Sequence, residues 1–166
     1  MIMRQAAEAD RPAIAAIHAA SWLDSYRPYL SADYLASIHD RLGAHWAGLV
    51  LGAHDLLLLA EDEGEPVGFL LAWDGEPFWI NTLHTTPARR SGGVGAALMA
   101  AAARHFREQG RTCAYLDVIE SNHRAIAFYR RLGGVPGAVK AKLVGDCMVP
   151  NLRIDFPDLA TIIAAP

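Results

Sequence analysis

The stretch from Leu83 to Met99, LHTTPARRSGGVGAALM, brings together residue types suited to holding an anion. Arg90, Gly93 and Gly95 stand as R-x-x-G-x-G, with Arg89 beside them and Pro87 three residues ahead of Arg90. A strand ending in Leu83, His84 and Thr85 leads in, and an alanine-rich helical pattern follows directly. At a helix start the first N–H groups have no intrahelical partner and the helix dipole is positive. A loop of Ser91, Gly92, Gly93, Val94 and Gly95 lets the backbone approach a phosphate with few Cβ atoms in the way. Each N–H bond to a charged oxygen contributes roughly 1.5–3 kcal/mol, so three or four could hold a pyrophosphate without a metal. A Walker loop needs G-x-x-x-x-G-K-[ST], and no lysine lies near. A dinucleotide fingerprint would put Leu98 at its third glycine, where leucine would push the helix off the sheet. On the loop alone, a glycine-rich turn before an ordinary helix is the competing reading.

A second motif narrows the choice. Leu116 to Gly133 reads LDVIESNHRAIAFYRRLG: a strand, then Asn122, Ala125, Phe128-Tyr129 and Gly133. Together the two motifs resemble the GNAT superfamily of N-acetyltransferases, which bind acetyl-CoA. The first resembles that family's pyrophosphate loop, R/Q-x-x-G-x-G/A. The second resembles its N-x-x-A-x-x-F-Y-x-x-x-G segment. The resemblance is specific from Leu83 to Gly134 and weaker before Asp55 and after Pro136. It implies a fold in the α/β (α+β) class: a mixed, twisted sheet of about seven strands, split at the middle and flanked by about four helices. Acetyl-CoA would lie in the split as co-substrate.

The reaction that the resemblance implies is direct attack of an amine on the acetyl thioester. The amine must be neutral, the carbonyl oxygen stabilised and the leaving thiolate protonated. Tyr129 matches the tyrosine that often serves as general acid in the family; packing of an aromatic in the core is the alternative. Asn122 is a helix N-cap by position, and its counterpart in the family also contacts the CoA arm. Backbone N–H groups of the split strand around His84 and Thr85 are the natural oxyanion donors. The base departs from the family pattern: the glutamate that many members carry eight residues before the proline is here Trp79, and no Asp or Glu occurs from Phe78 to Pro87. His84 and Glu76, at the strand's entry, are the base candidates. A lysine-type amine is roughly 0.04% neutral at pH 7 and an α-amino group over ~10%, a gap of about 3.5 kcal/mol that a base must supply. The missing carboxylate therefore points to a low-pKa amine or to deprotonation through water.

Trp22, Tyr26, Tyr29, Tyr34 and Trp46 fall within 25 residues, more than the 8% aromatic average predicts. Their order resembles a broad bacterial GNAT subgroup of diverse substrates, in which the first helices wall the acceptor site. An aromatic wall suits an amine with an apolar body. Trp22, Tyr26 and Asn81 are the substrate-side candidates, with ordinary helix packing as the alternative. Three functions share this site: acetylation of a small-molecule or peptide amine, acetylation of a protein N-terminus or lysine, and a catalytically weak acyl-CoA-binding module.

Stepping outward, Met1 to Ala6 is a strand, and Asp10 with Pro12 opens a helix. Ser31 caps a short helix, and another covers Arg41 to Leu51. Strands are expected over Leu56–Ala60, Val67–Trp73, Phe78–Thr85, Thr112–Ile119, Val135–Val144 and Val149–Phe156, with turns at Glu61–Gly64 and Gly75–Pro77. Helices are expected over Gly93–Gln109 and Asn122–Leu132, each ended by glycine. Hairpins followed by strand–helix–strand–helix imply a sheet that is antiparallel first and parallel at its centre. At 166 residues, 52% apolar and 20% charged, the chain reads as a single globular domain, residues 1–166. A net charge of −3 offers no basic nucleic-acid face. Seven histidines form no metal-ligand spacing. Two separated cysteines, no signal-peptide pattern and no long apolar run point to a reduced, cytoplasmic protein that does not enter membranes. The last strands leave a homodimer open.

Overall fold

The computed structural model describes residues 1–165. Its elements run β1 (Ile2–Gln5), α1 (Arg11–Ser25), α2 (Ala32–Ala36), α3 (Ile38–Ala47), β2 (Leu56–Asp62), β3 (Glu65–Trp73), β4 (Phe78–Thr85), α4 (Val94–Glu108), β5 (Ala114–Ile119), α5 (His123–Arg131), β6 (Val135–Val144), β7 (Cys147–Phe156) and α6 (Leu159–Ala164). The seven strands form one open sheet in the order β1-β2-β3-β4-β5-β7-β6. Every neighbouring pair is antiparallel except β4 with β5. This is the mixed α/β architecture expected, with six α-helices of which α2 and α6 are short.

The apolar runs LLLLA and VGFLLA are unbroken because β2 and β3 are covered on both faces. Leu57, Leu59, Phe69 and Leu71 pack against Ile14 and Ile17 of α1 and Ile38, Leu42 and Trp46 of α3. Leu56, Leu58, Val67 and Leu70 face the opposite layer, with Leu98, Ala102 and Phe106 of α4. Alanines at 102 and 103 let α4 lie close to the sheet, and Phe106 stacks on Phe78 of β4 with centroids 4.1 Å apart.

Four local expectations shift. The strands of the first hairpin reach further than their apolar cores, which narrows the turn to Glu63 and Gly64, both left-handed at φ 53° and 85°. α3 starts and ends earlier than the pattern over Arg41–Leu51 suggests. Asp10 occupies the N-cap position of α1 but caps nothing in it. Its carboxylate accepts instead from Arg4 at 2.7 and 2.9 Å and from the N–H of Ala7 at 2.7 Å, and the guanidinium holds its pKa down at about 2. α6 was not expected, since six residues are too few to show a period. It packs where Gly133 and Gly134 stand in place of the family's Gly-Phe: a Cβ on Gly133 would meet Oγ1 of Thr161 at 2.4 Å. Among the described residues, no helix is long and apolar enough to cross a membrane.

Candidate active site

The sheet opens at its centre for a local reason. β4 and β5 pair at only two positions, Phe78 with Ala114 and Trp79 with Tyr115. Just beyond, β4 carries one extra residue: Thr82 lies opposite Leu71 and Ile80 opposite Ala72, so Asn81 is bulged out. A bulge bends and twists its strand, and Thr82 to Thr85 leave β5 while keeping their pairing to β3. The other edge of β4 thus presents backbone groups to a cleft of about 1320 Å³.

One end of the cleft is the glycine loop. Gly93, left-handed at φ 80°, is the N-cap of α4, and no side chain caps that end. The first intrahelical bond runs from the N–H of Ala97 to the carbonyl of Gly93 at 3.0 Å, so the N–H groups ahead of it point out of the helix. The space around a Cβ at Gly93 is open for 4 Å, whereas one at Gly95 would stand 3.3 Å from Cζ of Phe128. The two sequence motifs therefore touch. Arg90 pairs with Asp24 and reaches Oγ of Ser25 at 3.1 Å, Arg89 pairs with Asp62 at 2.8 Å, and Arg124 reaches Oγ of Ser91 at 3.2 Å. The uncapped N-terminus of α4 and these three guanidiniums, two of them paired with carboxylates, all border this end of the cleft.

The acetyltransferase (GNAT) family profile matches residues 14–134. The chain belongs to that family. It is 26% identical to YuaI, an uncharacterized N-acetyltransferase of Bacillus subtilis (strain 168), over 96% of this chain and 95% of that protein. Its fold is shared with a GCN5-related N-acetyltransferase from Rhodopseudomonas palustris, at a TM-score of 0.74 and 22% identity over 94% of each chain. It is shared too with the acetyltransferase yncA from Salmonella typhimurium, solved with its cofactor acetyl-CoA, at a TM-score of 0.69 and 20% identity over 95% of this chain and 93% of that one.

Within this GNAT fold, α5 starts at Asn122, whose Oδ1 accepts from the N–H of Ala125 at 3.1 Å. One turn on, Phe128 and Tyr129 both line the cleft. Desolvation, reinforced by the Tyr26 phenol, raises the pKa of Tyr129 well above the usual phenol value. Its proton stays on oxygen throughout the working range.

His84 also lines the cleft, and both its ring nitrogens are engaged. Nε1 of Trp22 donates to Nε2 at 3.3 Å, and an indole nitrogen can only donate. The ring proton is therefore on Nδ1, which donates to Oγ of Ser21 at 2.8 Å. Desolvation, and secondarily Arg90, lowers the imidazole pKa to about 3. His18 stacks on His84 at 4.6 Å and accepts at Nδ1 from Nε1 of Trp46 at 3.1 Å, while its buried Nε2 has no partner among the described residues. Glu76 stands outside the cleft at the other end of β4, where its carboxylate accepts from the hydroxyl of Thr112 at 2.9 Å and from Sγ of Cys113 at 2.8 Å.

Trp22, Tyr26 and Tyr34 line the α1 side of the cleft. Trp22 packs on Tyr26 at 5.2 Å and on Tyr34 at 6.2 Å between centroids, and Cζ of Arg41 lies 4.8 Å over the Tyr34 ring. The β6–β7 hairpin borders this side: Asp146 accepts from the N–H and hydroxyl of Ser31, and a Cβ on Gly145 would meet Cδ2 of Leu30 at 2.4 Å and the Tyr34 ring at 3.1 Å. Asn81 is exposed, its Oδ1 accepting from the Thr82 hydroxyl at 2.6 Å. The sequence reading missed Arg124, Asp117 and Lys142. Arg124 carried a signal, as a cation two residues past Asn122; the other two meet only through the sheet order.

Proposed function

We propose that this chain is an acetyl-CoA-dependent N-acetyltransferase that moves the acetyl group directly to a primary amine of a small molecule or peptide. The observation that carries the reading is the uncapped N-terminus of α4, set at the mouth of the split with Tyr129 on the same cleft. The open cradle at Gly93 and the ring of Arg89, Arg90 and Arg124 fit a pyrophosphate, and the bare edge of β4 fits an amide-bearing arm. The Salmonella neighbour solved with acetyl-CoA supports the same assignment.

When bound, acetyl-CoA supplies an activated acyl carbon and a thiolate leaving group. The N–H groups at Gly93 to Ala96 hold the phosphates, and Leu83, His84 and Thr85 present backbone to the arm and to the acyl oxygen. Asn122 and Tyr129 border that arm from α5. Tyr129 would give its phenolic proton to the departing sulfur, and the proton lost by the acylated amine would return through water in the cleft to restore the phenol. His84, neutral and doubly hydrogen-bonded, keeps β4 and α1 in register at the acceptor side and takes no proton; Glu76 secures the start of β5.

Thiol release from acetyl-CoA against a panel of amines and peptides, with Tyr129→Phe alongside, tests this reading. Turnover on one acceptor class, lost in the variant, is the expected result. Coenzyme A binding without release on any acceptor would reduce the chain to an acyl-CoA-binding module.

A further inference from the structure

We infer that Asp117 and Lys142 form the acceptor seat, an ion pair that opens to take an amine carrying its own carboxylate; this rests on the acetyltransferase reading of the cleft. Asp117 is the only carboxylate among the residues lining the cleft, which also include Arg41, Arg89, Arg90, Arg124, Arg131 and Lys142. Its position follows from strand alternation. Ala114, Leu116 and Val118 of β5 join the α4 layer, so Tyr115, Asp117 and Ile119 face the α1 side. On that face, past the point where β4 and β5 part, Asp117 lines the cleft. Its side chain is 13% exposed.

Lys142 comes from β6, two strands away. β5 pairs Asp117 with Arg153 of β7, and β6 pairs Lys142 with Val149, so the ammonium reaches diagonally across β7 to meet Asp117. The Lys142 side chain is 42% exposed.

Charge then decides the class of ligand. An ammonium group seated on Asp117 displaces Lys142. A simple amine would leave Lys142 without its carboxylate beside the other cations of the cleft, and a pair whose carboxylate is only 13% exposed favours a ligand that replaces both partners. A ligand with both ammonium and carboxylate exchanges one ion pair for two. The wall of Trp22, Tyr26 and Tyr34 takes the apolar remainder. The fitting class is an amino acid or related zwitterion with an apolar side chain.

The test is calorimetric titration of the coenzyme-A-saturated protein with L-phenylalanine, L-methionine, L-leucine and the carboxamide of each, with thiol release measured in parallel. At least one acid is expected to bind tenfold or more tightly than its carboxamide. In Lys142→Met that ratio should fall below twofold, with the carboxamide binding more tightly than to wild type, a gain that mere structural damage would not produce. Lys142→Arg should restore the preference for the acid, and Asp117→Asn should weaken both ligands at least tenfold. No preference for any acid in the wild type, or an unchanged preference in Lys142→Met, overturns the seat. Acid preference without thiol release upholds the seat and overturns the enzyme reading; thiol release without acid preference does the reverse.

Discussion

The indole N–H of Trp22 donates to Nε2 of His84 at 3.3 Å, and this bond fixes the histidine as a neutral ring with its proton on Nδ1. Folding lowers the pKa of that ring from 6.5 to about 3, so the unfolded chain binds the extra proton first. The stability it contributes is complete above pH 6.5, declines as pH falls, and is fully lost near pH 3. The buried His18 acts in the same direction. The thermal midpoint of the wild type should therefore fall between pH 6.5 and 4, and His84→Gln should flatten that fall without abolishing it. The kcat/KM profile of His84→Gln above pH 6 should keep the wild-type shape. A midpoint slope unchanged by the substitution would mean that His84 titrates normally in the folded chain.

The two glycines of the loop should respond differently to alanine. Gly93 is left-handed, so a Cβ there strains the backbone by roughly 1–2 kcal/mol and stands at the uncapped helix start. Gly95 is helical and meets only the rim of Phe128 at 3.3 Å, a contact a small ring shift relieves. Gly93→Ala is expected to weaken coenzyme A binding at least tenfold and lower the thermal midpoint, while Gly95→Ala changes affinity by threefold or less. Titration calorimetry with coenzyme A checks both, and equal losses would show that the cradle does not discriminate between the two positions.

Much of this was readable in the sequence because it is local. Glycine spacing, the Asn122 cap and the unbroken apolar strands each report on neighbours within a turn or a strand pair. The split was readable only through the resemblance, since the bulge at Asn81 has no composition of its own. Asp117 stands on β5, and nothing near it in sequence announces Lys142, which arrives through the β5-β7-β6 order. His84 reads as a free polar residue on a strand until Trp22 and Ser21, more than sixty positions earlier, close on it.

Tyr26 is expected to act on acceptor binding and not on coenzyme binding. Its ring packs on Trp22 and on the edge of His84, on the α1 side of the cleft, and the glycine loop lies beyond. Burial, and secondarily Tyr29, raises the phenol pKa to about 12, so its hydroxyl stays neutral. Tyr26→Ala should raise the acceptor KM about tenfold and leave the Kd for coenzyme A within twofold. Parallel losses in both would make it a packing residue alone.

Tyr129 is the sharpest single test of the chemistry. Desolvation and the Tyr26 phenol hold its proton on oxygen well past the pH at which an ordinary phenol ionises. A group in that state is always protonated and can hydrogen-bond the departing thiolate, while the same raised pKa makes it a weaker acid than a free phenol. Tyr129→Phe keeps the ring against Phe128 and Phe156 and removes only the donor. The expected result is a fall in kcat of about 10²-fold, the lower range for general acid catalysis, with the Kd for coenzyme A within threefold. Because the phenol stays protonated, any loss of wild-type rate below pH 9 must come from another group and should survive in the variant. Stopped-flow thiol release from pH 6 to 9 measures both quantities; a variant with kcat within threefold of wild type would remove Tyr129 from the proton path.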